Sequence, residues 1–221
     1  MLFRFFLGTT ILCCTTQTFG WLYQQPTFTI MLDPAYEAKN MGRSLYNNFE
    51  RGATLQFAQE LKKQITCQYP HVTVVLSRTA GESLEKLQSA SFANRLNVNL
   101  VLHINFYKEA KVKPQIFLYY FKNQSYFSHN RPGQLYFYPY HQAFTFNFDR
   151  TTQWVGYMQK HLQQINFKHY FECKNAIALP FRPLVGITAP AIGIEIGIKK
   201  NGWDAFLEPI VNSLAEIVYA S

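Results

Sequence analysis

The stretch Asn99–Asn105, with the sequence NLVLHIN, carries a histidine, His103, at the end of an apolar run. A second stretch, Ala191–Gly197, with the sequence AIGIEIG, places one carboxylate, Glu195, among hydrophobic residues. Continuous apolar runs of this length are typical of strands that are covered on both faces, as in a parallel sheet. Because a buried polar group is costly unless it is paired, we expect His103 and Glu195 each to be either satisfied or functional.

Strand and helix patterns alternate around these two stretches. Phe28–Leu32 has the pattern of a strand, and the following Asp33-Pro34 forces an extended or turn geometry at Asp33. From Glu50 onward, apolar residues recur at the spacing of one helix face. Further strand patterns lie at His71–Leu76, Gln115–Phe121 and Ala176–Leu179, and further helix patterns at Glu82–Asn97, Thr151–Ile165 and Asp204–Tyr219. This order predicts a single α/β domain with a mainly parallel sheet.

The first twenty residues have the pattern of a secretory signal peptide. Arg4 is followed by a short apolar stretch, and small residues precede Trp21. The apolar stretch is too short to span a membrane stably. We therefore expect residues 1–20 to be removed and residues 21–221 to form the domain outside the cytoplasm, secreted or in the cell envelope (periplasm), with no stable membrane span. Lipid attachment at Cys13 or Cys14 is the minor alternative.

The amino-acid composition limits the classes of molecule that the protein is expected to bind. The chain has 221 residues, 48% hydrophobic and 15% charged, which suits one folded domain and argues against disorder. Its formal charge is +8, but the positive residues are scattered, so nucleic acid is not an expected partner. An anionic cell-wall polymer fits this balance better. Outside the first twenty residues the cysteines are Cys67 and Cys173, which form either one disulfide or two small apolar side chains.

Residues 122–150 interrupt the alternation and read as an aromatic-rich insertion. Its aromatic residues are Tyr126, Phe127, Tyr136, Phe137, Tyr138, Tyr140, Phe144, Phe146 and Phe148. The alternation at Tyr136, Tyr138 and Tyr140 permits a small hairpin whose rings stack on sugars. The favoured interpretation is that the insertion packs on the sheet as a satellite core.

Several landmarks occur in the order found in zinc-dependent N-acetylmuramoyl-L-alanine amidases, which cleave peptidoglycan, and the chain resembles that family. The landmarks are IMLDP at 30–34, Glu50, LSRT at 76–79, Ala93-Asn94, LHIN at 102–105, PAIGIEIG at 190–197, Asn201 and Asp204. The resemblance covers most of residues 21–221. It implies a twisted, mostly parallel sheet flanked by helices, with a metal at the carboxyl ends of the strands.

The resemblance also assigns the site residues. The family holds zinc through His, Glu and His, and Glu50 and His103 match the second and third ligands. Glu195 matches the catalytic glutamate, which takes a proton from the zinc-bound water and returns it to the leaving amine. Two positions depart from the family. Tyr36 stands in place of the first histidine, and Ser89 stands in place of an arginine.

The Tyr36 position leaves the metal site open to more than one interpretation. A phenol has a pKa of about 10 and competes poorly with imidazole for zinc, although a metal lowers that pKa where other ligands hold it. Glu37 is an alternative oxygen ligand. His129 and His141, in the insertion, are alternative nitrogen ligands, although a surface or packing role is favoured for each.

Two functional hypotheses follow. In the first, the protein is an amidase that hydrolyses the bond between N-acetylmuramic acid and the L-alanine of the stem peptide, provided that the metal site works. In the second, it is a degenerate, non-catalytic domain of the same fold that binds peptidoglycan, its fragments or a partner protein. In a third interpretation, the chain shares only its fold with the amidases, and no function follows from the fold alone. The sequence leaves the oligomeric state undetermined.

Overall fold

The computed structural model describes residues 28–46, 48–123, 139–200 and 202–221. The strands are β1 (Phe28–Pro34), β2 (Val72–Leu76), β3 (Leu100–Lys108), β4 (Gln115–Phe121), β5 (Glu172–Cys173), β6 (Ile177–Leu179) and β7 (Ala191–Ile198). The helices are α1 (Glu50–Gln68), α2 (Gln88–Leu96), α3 (Phe148–Leu162) and α4 (Leu207–Tyr219). Most of the strands and helices predicted from the sequence are present within a few residues of their expected bounds.

The strands form one seven-stranded sheet in the order β2-β1-β3-β7-β4-β5, with β6 also paired to β4. Strand β1 lies parallel to both β2 and β3, and β3 lies parallel to β7. Strand β4 runs antiparallel to β7, and β5 and β6 lie parallel to β4. The predicted α/β class with a mostly parallel sheet flanked by helices is therefore confirmed.

The side chains of the central strands divide into two faces, as the period of two in a strand requires. Even-numbered residues of β3, such as Leu102 and Ile104, pack in the main core with residues of α1, α3 and α4. Val101 points to the opposite face and packs in a smaller core with residues of α2. On this second face, the residues of β3 that follow Val101 with the same parity are His103, Asn105 and Tyr107. The lone histidine therefore lies on the less deeply covered face of the sheet.

Three predicted helices differ from the observed ones in where they begin, and the last, α4, starts at Leu207 after a 3-10 turn over Asp204–Phe206. The helix predicted from Glu82 starts only at Gln88, because Leu87 has a φ of +64°, which helical geometry excludes. Helix α3 begins at Phe148, three residues earlier than predicted. Thr151 lies inside its first turn, where its hydroxyl donates to the carbonyl of Asn147.

The remaining sequence expectations have mixed outcomes. Cys67 is exposed on α1 and Cys173 is buried on β5, and both are free thiols. Part of the insertion is described: residues 140–147 form a 3-10 helix, and the ring of Phe144 contacts that of Phe121 at 5.0 Å. The predicted signal peptide lies outside the described residues, and so does most of the predicted hairpin at 136–140. Within the described part of the chain, no helix is long and apolar enough to cross a membrane.

Candidate functional site

The candidate site residues gather where β1 ends, beside the middle of β3 and of β7. Strand pairing sets Asp33 of β1 opposite His103 of β3, and Asn105 of β3 opposite Glu195 of β7. Partners in a ladder point to the same face, so Asp33, His103 and Glu195 share one face of the sheet. Asp33 lies at the carboxyl end of β1, the end of a strand at which ligands of open α/β sheets bind. The two polar residues singled out in the apolar runs are therefore brought to one region.

His103 and Asp33 form a buried pair. The Nδ1 atom of His103 lies 2.7 Å from the Oδ2 atom of Asp33, and the hydroxyl of Ser89 donates to the Oδ1 atom at 3.0 Å. Burial raises the pKa of Asp33, but attraction to His103 and hydrogen bonds from His103, Ser77 and Ser89 outweigh it, so this pKa lies below its usual value. Because the Asp33 carboxylate is an acceptor only, Nδ1 carries the proton and Nε2 of a neutral imidazole is left as the free acceptor.

Glu50, at the start of α1, is fully buried and completes the backbone hydrogen bonding of β3. Strand β1 leaves the sheet after the N–H of Ala35 donates to the carbonyl of Ile104, so the N–H of Phe106 lacks a strand partner. The Glu50 Oε1 atom accepts that N–H at 2.9 Å, and its Oε2 atom accepts the N–H of Arg43 at 3.2 Å. Burial raises the pKa of Glu50, and these two hydrogen bonds and the Arg43 charge offset only part of the rise.

The guanidinium of Arg43 lies between the two predicted site carboxylates. Its Nη1 atom donates to the Oε1 atom of Glu195 at 2.6 Å and to the carbonyl of Phe106 at 3.3 Å. Its Nε atom lies 3.8 Å from the Oε2 atom of Glu50. The other oxygen of Glu195 accepts the hydroxyl of Tyr119 at 2.9 Å. Partial burial disfavours the charge of Arg43, but the hydrogen bond and attraction to Glu195 outweigh it and raise the pKa of Arg43.

Tyr36 adopts a left-handed backbone conformation, with φ at +63°. Its ring lies directly against Gly42, where a β-carbon would approach the ring to 2.4 Å, and Gly42 itself has a φ of +69°. Glu37, the alternative ligand, accepts the backbone N–H of Leu84. Tyr36, Glu37 and His141 all line the cleft that contains His103, whereas His129 lies outside the described residues.

Two separate cavities open at this edge of the sheet. The His103 cleft has a volume of about 860 Å³ and is lined by residues that include Asp33, Tyr36 and His103. The Glu195 cavity has a volume of about 450 Å³ and is lined by Arg43, Tyr107, Glu109, Lys111, Gln115, Phe117, Tyr119 and Glu195. Neither His103 nor Phe181 lines the Glu195 cavity, and Glu195 does not line the His103 cleft.

Phe181 explains this division. Its ring centroid lies 5.7 Å from that of His103 and 5.1 Å from that of Tyr119. The ring rests on Gly193, where a β-carbon would lie only 2.6 Å from it. Gly193 pairs with His103 in the sheet and precedes Glu195 by two residues on the same strand. The side chain of Phe181 therefore separates the histidine from the glutamate.

The donor set does not fit a zinc ion as it is arranged. A catalytic zinc site takes three protein ligands and an open position. Among the described residues, no three His, Cys, Asp or Glu side chains are placed to hold a metal ion. Both oxygens of Glu50 accept backbone N–H groups, and Arg43 brings a positive charge to Glu50 and Glu195. Of the two residues matched to the family's ligands, Glu50 and His103, His103 keeps a ring nitrogen, Nε2, that no hydrogen bond among the described residues occupies.

Comparison with known proteins gives a likeness in structure only. No family model matches the chain, and no curated protein matches its sequence. The catalytic domain of CwlV, an amidase from Bacillus (Paenibacillus) polymyxa var. colistinus, matches with a TM-score of 0.59 at 17% identity, over 87% of this chain and 96% of that one. The fold is that of N-acetylmuramoyl-L-alanine amidase catalytic domains.

Two further solved structures agree with this assignment of the amidase fold. AmiC2 of Nostoc punctiforme matches with a TM-score of 0.60 at 16% identity, over 87% of this chain and 98% of that one. The CwlD amidase of Clostridioides difficile, solved in complex with the GerS lipoprotein, matches with a TM-score of 0.60 at 14% identity, over 87% of this chain and 99% of that one. At these identities the likeness establishes the fold and leaves activity to be argued from the site.

Sequence reasoning missed three residues that shape the site on the amidase fold: Arg43, Tyr119 and Phe181. Tyr119 lies two residues after Phe117 on β4, so both side chains point to the same face of the sheet. This spacing is the one sequence pattern that could have placed Tyr119 at the site. Arg43 and Phe181 lie in irregular segments, where no periodicity marks an inward-pointing side chain. Ser89, noted as a departure from the family, proves to be a hydrogen-bond partner of Asp33.

Proposed function

We propose that the protein is exported and binds peptidoglycan or its fragments through the amidase fold, without hydrolysing them by a zinc mechanism. The observation that carries this proposal is the guanidinium of Arg43, held between Glu50 and Glu195. In the amidases that the chain resembles, the corresponding glutamates serve as a zinc ligand and as the catalytic base. Here one side-chain cation lies beside both of them.

The contacts of Glu195 give its carboxylate structural partners that compete with a role as a general base. A general base needs an oxygen within hydrogen-bond reach of the proton that it removes, so a substrate proton would share these oxygens with the two donors already present. One oxygen of Glu195 receives the Arg43 guanidinium at 2.6 Å, and the other receives the Tyr119 hydroxyl at 2.9 Å. A divalent cation at Glu50 and Glu195 would in addition lie beside the positive charge of Arg43, which opposes its binding.

The His103 cleft supports a binding role. Its volume of about 860 Å³ lies in the range of ordinary ligand sites. Lys86 and Arg182 line it, and both are suited to the free carboxylates of a peptidoglycan stem peptide. The formal charge of +8 for the whole chain favours association with an anionic wall polymer.

Zinc-dependent hydrolysis of the bond between N-acetylmuramic acid and L-alanine is the second candidate, and one observation favours it. The Asp33 carboxylate orients His103 through Nδ1 and leaves Nε2 free, which is the arrangement that commonly supports a metal-bound histidine. This candidate requires Arg43 to leave Glu195 and requires a further ligand, such as Tyr36 or His141, to complete the set.

Cosedimentation with insoluble peptidoglycan tests the proposal. We expect the full chain to sediment with the polymer equally well with and without a chelator, to carry less than one zinc per chain, and to release no stem peptide. Release of stem peptide that stops on chelation and in Glu195→Gln would establish the hydrolase instead. Failure to sediment with the polymer, together with no release of peptide, would contradict both candidates.

A further inference from the structure

Four aromatic side chains line up along the outer half of the site, on the side of Glu195. The rings of Tyr107 and Phe117 lie 6.3 Å apart, those of Phe117 and Tyr119 lie 6.4 Å apart, and those of Tyr119 and Phe181 lie 5.1 Å apart. The planes of Phe117 and Tyr119 differ by only 7°. All four residues, which we call the aromatic row, are half-buried.

Two glycines of β7 make room for this row. A β-carbon at Gly193 would lie 2.6 Å from the ring of Phe181 and 3.4 Å from the β-carbon of Tyr119. A β-carbon at Gly197 would lie 2.7 Å from the hydroxyl of Tyr107. The sheet surface is therefore bare of side chains where the rings lie, and the alternation of Gly193, Glu195 and Gly197 leaves one carboxylate between them.

The polar groups around the row balance in charge. The Glu195 cavity is lined by two cations, Arg43 and Lys111, and by two anions, Glu109 and Glu195. Glu109 accepts the Tyr107 hydroxyl at 2.7 Å and the N–H of Lys111 at 2.9 Å. A carboxylate has sites for about four hydrogen bonds, so acceptor capacity remains at Glu109 and Glu195. The cavity therefore favours a neutral ligand that has many hydroxyl groups over a charged one.

We propose that the Glu195 cavity binds the amino-sugar rings of a glycan strand on the three rings of the aromatic row that line it, those of Tyr107, Phe117 and Tyr119. Sugar rings present weakly positive C–H groups on their faces, which pack on the negative faces of aromatic rings, and they present hydroxyls at their edges for the surrounding carboxylates and Arg43. The inference rests on the proposed function, because it takes peptidoglycan as the ligand. It adds that the glycan lies on the Glu195 side of Phe181, which leaves the peptide to the His103 cleft.

A peptide-free probe isolates the sugar contribution. Equilibrium dialysis of the full chain against a tetramer of N-acetylglucosamine measures glycan binding without stem peptide or charge. We expect Phe117→Ala to weaken this binding about tenfold. We expect Phe117→Leu, which keeps apolar bulk but removes the ring, to weaken it roughly threefold to tenfold. The control is Tyr170→Ala, which removes a 61% exposed ring that does not line the cavity, and which we expect to leave binding unchanged.

The outcomes separate this inference from the proposed function. Tetramer binding that falls in both Phe117 variants, with unchanged thermal unfolding in Phe117→Leu, supports the aromatic row as the glycan site. Tetramer binding that is unaffected by either variant would overturn it, since the sugar would then bind elsewhere. If the wild-type chain sediments with intact peptidoglycan but does not bind the tetramer, the inference fails and the proposed function stands. If it does neither, both fail.

Discussion

Replacing Arg43 with alanine tests the electrostatic arrangement of the whole site. Arg43→Ala leaves the fully buried Glu50 with its two backbone N–H donors, but it removes the cation at 3.8 Å. It also removes the 2.6 Å hydrogen bond to Glu195. A buried pair that loses one partner typically costs about 3–5 kcal/mol, and an exposed pair costs about 0–1 kcal/mol.

The expected loss of stability lies between those limits. Because the Arg43 side chain is 46% exposed, solvent screens its interactions and the loss is nearer the lower limit, at about 1–2 kcal/mol. For a chain of 221 residues this corresponds to a fall in Tm of about 2–8 °C. Lys39→Ala is the matched control, since the Lys39–Glu85 pair is exposed and 3.6 Å apart, and we expect almost no change.

The pH dependence of this loss identifies its cause. The pKa of Glu50 in the folded protein lies above its usual value of 4.5, so ionised Glu50 destabilises the fold as pH rises through that pKa. Arg43 opposes this effect only while Glu50 is ionised. We therefore expect a smaller loss in Arg43→Ala at pH 4 than at pH 8, measured by denaturant unfolding. Equal stability of the variant and the wild type at both pH values would refute the proposed bridge.

The same substitution tests the opposition between Arg43 and a metal. With Arg43 removed, Glu50 and Glu195 lose their side-chain cation, and Tyr36→His introduces the histidine that the family resemblance predicts for a zinc site. Histidine is among the residues that tolerate the left-handed backbone found at Tyr36. We expect Arg43→Ala/Tyr36→His to bind zinc more tightly than either single variant. Equal affinity in the double variant and in Tyr36→His alone would show that Arg43 does not exclude the metal.

Three further predictions follow from other parts of the structure. Thiol reagents at pH 8 should label the exposed Cys67 and not Cys173, because burial raises the pKa of Cys173 to about 12. Labelling of Cys173 in the native protein, seen by mass spectrometry, would contradict its burial. Gly193→Ala should cost about 1–3 kcal/mol in unfolding free energy through the clash with Phe181, and a cost that persists in a Phe181→Ala background would disprove this cause. Arg78→Ala should lower the free energy of unfolding by about 2–4 kcal/mol, because the buried guanidinium donates to three backbone carbonyls around the end of β1 and the start of α1. A change in Tm close to zero would argue against that role.

The parts of the fold that could be predicted are those with a local signal. The apolar runs around His103 and Glu195 became adjacent central strands, because a run of that composition is stable only when it is covered on both faces. The start of α2 was predicted too early, because nothing in the local pattern indicates that Leu87 takes a positive φ. Arg43 and Phe181 lie outside regular strands and helices, and their positions depend on contacts with distant strands. Sequence periodicity carries no information about such contacts.

The glutamates predicted as zinc ligand and catalytic base have structural partners that do not involve a metal. Glu50 supplies the acceptor that Phe106 lacks after β1 leaves the sheet. Glu195 satisfies Tyr119 and Arg43, and it would be a costly, largely buried carboxylate without them. The presence of both glutamates is therefore explained by the contacts of the folded chain, without a catalytic role. The identity of the cation between them decides the chemistry, and in this protein we infer that the cation is the guanidinium of Arg43.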